Sequence, residues 1–377
     1  MRSWFIVTPE YPPAPGGVGD FSRGIAVGLA ERGERVRVFV PGMAQAAADP
    51  GVEVSDLGDR FRLRSCRTIA NALGQSEVPP IVLLQYVPQS YGLRGLNLPF
   101  LTWLAARVPR LWVMFHEVVF PFVPGQPLRR DLRAVATRLM LAPLASGAER
   151  CLVSTDAWIP YLKKWGRLRA EPEWMPVPSN LPGTATRPAS AVRKALGLPQ
   201  AASVLFHFGT YSEPMIAALR EVVPGLLQGR HERTLLLLGH GGERFREQLV
   251  RQHADLGPQL VATGPLPAQA VADAIAACDA GIYPFQDGVS GRRTSLMAAL
   301  ELGVPALTTD GHVTEPLWQS SGAVGLAPAL DGAAFVALVD STLSNRAELA
   351  RLAAAGQSLY AGHFARERCL EQLLAVD

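Results

Sequence analysis

Asp279-Ala-Gly-Ile-Tyr-Pro-Phe-Gln-Asp-Gly-Val-Ser-Gly-Arg-Arg-Thr-Ser-Leu-Met-Ala-Ala-Leu-Glu-Leu-Gly-Val-Pro-Ala-Leu-Thr-Thr-Asp-Gly311 is the stretch on which the fold turns. Its opening run, Ala280 to Tyr283, is short, apolar and bounded by turn formers, as a buried strand is. The loop Asp287-Gly-Val-Ser-Gly291 leads to a helix expected to begin near Arg292 and to run to Leu302. Ala306-Leu-Thr308 then reads as the next strand. Strand, loop, helix and strand in that order form the right-handed crossover of a parallel sheet.

The same alternation extends in both directions. Ser203–Phe208, Thr234–Leu238 and Leu260–Val261 are strands, with helices over 245–256 and 268–278. A last helix from Asn345 to the end carries Gly356 and Gly362 as interruptions. Upstream, Glu173 to Pro188 is proline-rich and reads as a hinge. The pattern before it begins again: Phe5–Val7, a Pro/Gly loop from Pro12 to Gly19, apolar residues at helical spacing from Phe21 to Leu29, and the alternating strand Arg35–Val40. Further strands fall at 81–84, 111–115 and 151–153, with helices near 100–106 and 128–145. The fold class is therefore α/β, with two Rossmann-like parallel-sheet domains. The carboxyl ends of the strands of such sheets are where ligands bind.

At 377 residues, two domains are the ordinary arrangement. Hydrophobic residues make up 48% and charged residues 18%, a globular balance rather than a disordered one. A net charge of +3, from 36 basic and 33 acidic residues, gives no footprint for nucleic acid. Cys66, Cys151, Cys278 and Cys369 are widely separated, which excludes a disulfide scaffold and a cysteine zinc site and fits a reducing compartment. The apolar run Trp4–Val7 is too short for a signal peptide, and no run approaches the ~20 apolar residues of a bilayer span. A cytoplasmic location is expected.

Three segments carry candidate chemistry. At the helix start near Arg292, backbone N–H groups and the helix dipole suit an anion; Arg292, Arg293, Ser290, Gly291 and Ser295 add donors for a diphosphate. The plain alternative is a loop whose arginines face solvent. Near the amino end, Gly16 and Gly17 permit close backbone approach, with Asp20 or Ser22 to cap the following helix, and a simple tight turn is the alternative. This segment lacks the Gly-x-Gly-x-x-Gly spacing of a dinucleotide site, and Gly239-His-Gly-Gly242 has no Walker lysine. His116 and Glu117 follow a strand directly and belong at the sheet edge, where His116 is either a ligand contact or a structural histidine. Zinc is not expected, since no second His or Cys stands at ligand spacing nearby.

Together these residues resemble the GT-B glycosyltransferases, in particular the retaining group known as glycosyltransferase family 4. The resemblance rests on Pro15-Gly-Gly-Val-Gly-Asp-Phe21, Gln85-Tyr-Val-Pro88, Phe115-His-Glu117, Pro176-Val-Pro-Ser-Asn180, Ala262-Thr-Gly-Pro-Leu266 and the Tyr283–Gly311 stretch, and it covers nearly the whole chain. It implies an acceptor-side domain over 1–178, a nucleotide-sugar domain over 179–355, and a C-terminal helix, 356–377, packing back on the first domain. The implied reaction moves a sugar from a nucleotide-diphosphate sugar, the co-substrate, to an acceptor hydroxyl, with retention and without metal or other cofactor. In this scheme the diphosphate lies between Gly16-Gly17 and the Ser290–Ser295 helix start. Arg292 and Arg293 stabilise the leaving charge, and His116 contacts the donor sugar. Gly209, Thr263, Gly264 and Leu266 hold the nucleotide, and Asp20, Tyr86 and Glu117 lie towards the acceptor.

The chain departs from the family pattern in two places. The family's two glutamates, with seven residues between them, are replaced by Ser290 and Ala298. The loop Gly209-Thr-Tyr-Ser-Glu-Pro214 has neither the Arg nor the Lys that the family usually places on the diphosphate. Two other readings follow: a degenerate GT-B domain that binds a partner without catalysis, and a nucleotide-sugar epimerase using Glu117 and Asp287 as acid and base. Residues 128–141 form a basic helix with an apolar side. Arg129, Arg130, Arg133 and Arg138 either face solvent or rest on anionic headgroups at the inner face of a membrane.

Overall fold

Alternation along the first strand, β1 (Ser3–Val7), divides the first half of the chain into two cores. Trp4 and Ile6 point to one side of the sheet and Phe5 and Val7 to the other, and all four are buried. A computed structural model describes residues 1–14, 16–42, 49–58, 61–92, 96–120, 122 and 125–375. Pro15 of the glycine-loop motif and residues 376 and 377 of the last expected helix lie outside the described residues.

After β1 come α1 (Gly17–Glu31), β2 (Arg35–Val40), β3 (Val52–Asp56), α2 (Leu63–Gly74), β4 (Ile81–Tyr86), α3 (Leu98–Arg107) and β5 (Leu111–Phe115). α4 (Leu128–Gly147), β6 (Arg150–Val153), α5 (Ile159–Trp165) and β7 (Glu173–Trp174) complete the run. The strands form one parallel sheet in the order β3-β2-β1-β4-β5-β6-β7. Residues of α2, α3, α4 and α5 pack on the Phe5–Val7 face, and α1 covers the Trp4–Ile6 face. Both faces are thus apolar, which is why the strands read as continuous hydrophobic runs.

The second unit contains α6 (Ala189–Ala195), β8 (Ser203–Phe208), α7 (Glu213–Leu227), β9 (Arg233–Leu238), α8 (Gly242–Gln252), β10 (Leu260–Ala262) and α9 (Ala268–Ala276). β11 (Ala280–Tyr283), α10 (Thr294–Glu301), β12 (Ala306–Asp310), α11 (Pro316–Ser321), β13 (Gly325–Pro328), α12 (Gly332–Leu343) and α13 (Arg346–Leu359) follow. Its parallel sheet has the order β10-β9-β8-β11-β12-β13. In both sheets the strand order reverses beside the first strand, between β1 and β4 and between β8 and β11. Those two switch points are the ligand crevices of doubly wound sheets.

The chain divides into Met1–Val177 with Arg366–Asp377, and Pro178–Ala365. The stretch expected as one long final helix is two. α13 ends in a single wide turn over Tyr360–Phe364, and α14 (Arg366–Leu374) packs on α1, where Leu370 lies against Gly28. Residues 356–365 therefore belong with the second unit, so the expected boundary at 355 is corrected to 365. The strands missed in the sequence are β3, β7 and β13. β3 is a half-exposed edge strand, β7 has two residues, and β13 is an edge strand of only four residues, so none shows a long apolar run.

Candidate active site

The second sheet's switch point is built by the loops that leave β8 and β11. Gly209, directly after β8, has φ +150°, a conformation that side chains with a Cβ rarely adopt. A Cβ there would stand 3.4 Å from the Ser295 hydroxyl oxygen and 3.8 Å from His207 Nε2, so these two polar groups border one small space. His207 is buried; its Nδ1 lies 2.9 Å from the Ile282 carbonyl, which can only accept, so Nδ1 carries the proton. Burial pulls the imidazole down to about 4, leaving Nε2 as a neutral acceptor. Nε2 has no hydrogen-bond partner, nor does the fully buried Ser290 hydroxyl or the Tyr211 hydroxyl, whose ring stands edge-on to His207. Such groups cost about 1–3 kcal/mol each when left unpaired in the interior. Tyr283 ties the region to α10 by donating to the Ser295 carbonyl at 2.9 Å.

The loop ahead of α10 differs from expectation in three respects. The helix begins at Thr294 and Arg293 is its N-cap, so Arg292 precedes it. Gly291 N–H, expected to meet a phosphate, instead donates to both carboxylate oxygens of Glu315, at 3.1 Å each. Arg292 and Arg293 do not stand as two open cations: both guanidiniums pair with Asp287, Arg292 at 3.1 Å. Arg293 also lies 4.2 Å from the centre of the Phe285 ring, and burial together with the Arg292 charge lowers it to about 10. The arrangement removes Asp287 as a free acid or base, the part an epimerase would need from it. Glu315 was missed in the sequence. It is buried at the start of α11, also accepts from Trp318 Nε1 at 2.8 Å, and sits four residues beyond the stretch that carried the motif.

Thr263, Gly264 and Leu266 form the loop after β10. Thr263 N–H extends the pairing to Leu237 at 3.2 Å, and its hydroxyl donates to the Gly264 carbonyl at 2.9 Å. Gly264 sits against the Glu243 carboxylate of α8, and Leu266 is half-exposed.

In the first unit, the switch point holds the amino end of α1, and a carboxylate already occupies it. Glu10 Oε1 accepts from the Val18 and Gly19 amides at 3.1 Å each. Gly16 makes this approach feasible, since a Cβ there would lie 2.1 Å from the same oxygen; Gly17 is exposed with open space around it. Neither Asp20 nor Ser22 caps the helix, as had been expected. Ser22 is buried and bonds to Thr8 and to the Val18 carbonyl, because the carboxylate from outside the helix has taken the cap position.

His116 ends β5. Its Nε2 pairs with the buried Gln85 at 2.8 Å, its ring stands edge-on to Phe21 of α1, and burial pulls it down to about 3, so the imidazole is neutral. Glu117 accepts from Gln89 at 3.1 Å at the exposed edge. Tyr86 corrects an expectation. It is fully buried between Tyr91 and Phe115 rather than presented to an acceptor, because side chains of β4 are inside on both faces. Among the described residues there is no group of three or more His, Cys, Asp or Glu placed to hold a metal ion, and the four cysteines are buried and free.

No family model and no curated protein matches the chain. Solved structures do. Sucrose-phosphate synthase from Thermosynechococcus elongatus superposes with TM-score 0.77 at 17% identity, covering 99% of this chain and 97% of that one. Anabaena HepE in complex with UDP gives 0.70 at 17% identity over 100% and 99% of the two chains. The α,α-trehalose-phosphate synthase (UDP-forming) from Burkholderia vietnamiensis gives 0.71 at 12% identity over 100% and 96%. The chain has the GT-B fold. In this GT-B chain the loops after β8, β10 and β11 and the amino end of α10 make up the sheet edge of the second unit. The loops after β1, β4 and β5 make up that of the first.

Proposed function

We propose that this GT-B protein transfers a sugar from a nucleoside-diphosphate sugar to an acceptor hydroxyl, with retention at the anomeric carbon and without a bound metal. One observation carries the reading. Unpartnered buried polar atoms, Ser290 Oγ in the loop after β11 and His207 Nε2 near the end of β8, lie on the two strand-to-helix connections that flank the second sheet's switch point, where Ser295 Oγ and Gly209 also meet. The donor diphosphate is placed there. Ser290 and Ser295 donate to its oxygens, and the first amides of α10 meet the charge with the helix dipole. Thr263, Gly264 and Leu266 are placed against the nucleoside. The nucleotide complex of the similar HepE structure supports a nucleotide sugar as donor.

In the transfer step the bond from the anomeric carbon to the diphosphate oxygen breaks, and the acceptor oxygen bonds to that carbon on the same face. The acceptor proton passes to the departing phosphate, so no protein base is needed. Catalysis is then electrostatic: Arg292 and Arg293 meet charge that grows on the leaving group. Their charge is shared with Asp287 and the Glu315 carboxylate lies beside the loop, so donor entry requires exchange of the Asp287 contacts. His116, neutral and buried, acts by shape and polarity rather than as an acid. Asp20 and Glu117 are placed at the acceptor side.

A second reading, binding without transfer, is favoured by a specific observation: Glu315 already accepts the Gly291 N–H expected to meet phosphate, and Glu10 accepts the Val18 and Gly19 amides next to Gly16 and Gly17. Incubation with a panel of nucleotide sugars separates the two. Release of nucleoside diphosphate with a retained anomeric configuration in the product supports transfer. Nucleotide binding without turnover, or no binding at all, supports the second reading.

A further inference from the structure

Two histidines are buried, and they differ in one respect. His116 Nε2 is bonded to the Gln85 side chain at 2.8 Å, whereas His207 Nε2 has no partner although the residue is only 1% exposed. The Ile282 carbonyl takes the proton of His207 Nδ1, which leaves Nε2 able only to accept. The tyrosines packed around the ring turn their hydroxyls elsewhere. Tyr283 donates to the Ser295 carbonyl, and the Tyr211 hydroxyl lies 3.2 Å from where a Cβ at Gly242 would stand, at the start of α8. What the imidazole borders instead is a gap left by a missing side chain. A Cβ at Gly209 would meet Ser295 Oγ at 3.4 Å and His207 Nε2 at 3.8 Å, both ordinary contacts, with nothing nearer. The φ of +150° keeps that position to glycine, so the gap stays open between an acceptor and a hydroxyl.

We infer that His207 is a specificity residue for the donor, its Nε2 accepting from a hydroxyl on a sugar ring joined to the diphosphate. The inference rests on the placement of the donor diphosphate at this switch point, proposed above. Complementarity decides the ligand. A buried acceptor needs a donor, and ionised diphosphate oxygens are themselves only acceptors. Ser295 Oγ, which the donor reading sets on the diphosphate, borders the same gap, so the group that meets Nε2 stands next to the diphosphate. Two rings are attached there, the ribose and the transferred sugar, and both carry hydroxyls. A site built to bond a hydroxyl discriminates against the analogue that lacks it, because its own polar atom is then left unpaired.

Titration calorimetry on the full chain tests this. The probes are whichever of UDP, GDP and ADP binds tightest, the matching nucleotide-glucose, forms of both with single ribose or glucose hydroxyls removed, and inorganic pyrophosphate. His207→Asn keeps a donor for the Ile282 carbonyl but has no atom where Nε2 stands, and His207→Gln can set an amide oxygen there. If the ribose is the source, His207→Asn should weaken the nucleoside diphosphate about tenfold. His207→Gln should recover most of that loss, and one deoxyribose form should bind wild type and His207→Asn alike. If the transferred sugar is the source, only the nucleotide-glucose should weaken, by a similar factor. Equal binding of every probe to wild type and His207→Asn overturns the inference and assigns Nε2 to a buried water. An equal loss for inorganic pyrophosphate also overturns it, since the ring would then be a protonated donor to phosphate. Both of these results leave the donor reading standing, whereas a chain that binds none of the three nucleotides overturns that reading and this inference together. If His207→Asn fails to fold, the deoxy probes on wild type decide: undiminished affinity whichever hydroxyl is removed overturns the inference.

Discussion

The Glu315 carboxylate accepts the Gly291 N–H with both oxygens at 3.1 Å, bridging 24 residues of sequence. It joins the start of α11 to the loop that precedes α10. The same carboxylate takes the Trp318 indole N–H at 2.8 Å, and at 4% exposure it is shielded from water. Glu315→Gln keeps the shape but turns one acceptor into a donor that faces donors. A loss of about 1–3 kcal/mol is expected, seen as a transition a few degrees lower in calorimetry. Wild-type melting in this variant would mean that the contact does not hold the loop.

Asp287 holds both guanidiniums of the loop, and this sets opposite expectations for two variants. Arg292→Gln/Arg293→Gln should cut nucleotide-sugar turnover on the order of a hundredfold or more, as removal of a transition-state donor does. Asp287→Asn removes the competing charge and should tighten binding of a nucleoside diphosphate about fivefold, the worth of one partly exposed ion pair. Titration calorimetry with UDP reads the second effect and steady-state kinetics the first. Retained turnover in the double variant would refute the catalytic assignment.

Buried neutral imidazoles give the protein an acid sensitivity above the carboxylate range. Burial lowers His207 to about 4 and His116 to about 3, below the ordinary 6.5. The unfolded chain therefore binds protons that the folded chain refuses. Their contribution is complete above about pH 6.5 and is lost as pH falls towards the folded values. For His207 this amounts to at most about 3 kcal/mol. His207→Asn retains a donor towards the Ile282 carbonyl and should flatten the fall in urea midpoint between pH 6.5 and 4. Asp49 beside Arg23 and Glu173 beside Arg150 are held below the usual carboxylate range by those guanidiniums, so their losses come at lower pH. Parallel profiles for wild type and His207→Asn would rule out the histidine as the source.

Most central elements were legible because their physics is local. Leu111–Phe115 and Thr234–Leu238 are buried in the middle of parallel sheets and can be nothing but apolar runs. Gly16, Gly209 and the Ser290–Ser295 loop were found for a similar reason: switch-point loops need glycine and small donors whatever they bind. Glu10 and Glu315 were not found. A carboxylate eight or 24 positions from the amide it meets leaves no periodic trace. Tyr86, and Arg138, which folds inwards onto the Phe120 carbonyl, were misplaced because placement at a strand end, or on a basic helix, does not say which way a side chain turns.

The amino-acid sequence alone determined two doubly wound parallel sheets and the loops at their carboxyl edges, since hydrophobic period and glycine placement act over a few residues. Tertiary structure alone decided which anions those edges hold at rest, that two arginines share one aspartate, and that α4 turns Leu128, Leu132 and Leu139 to solvent. Hydrogen bonds and ion pairs are made between groups brought together by packing, and packing joins residues whose separation along the chain carries no information.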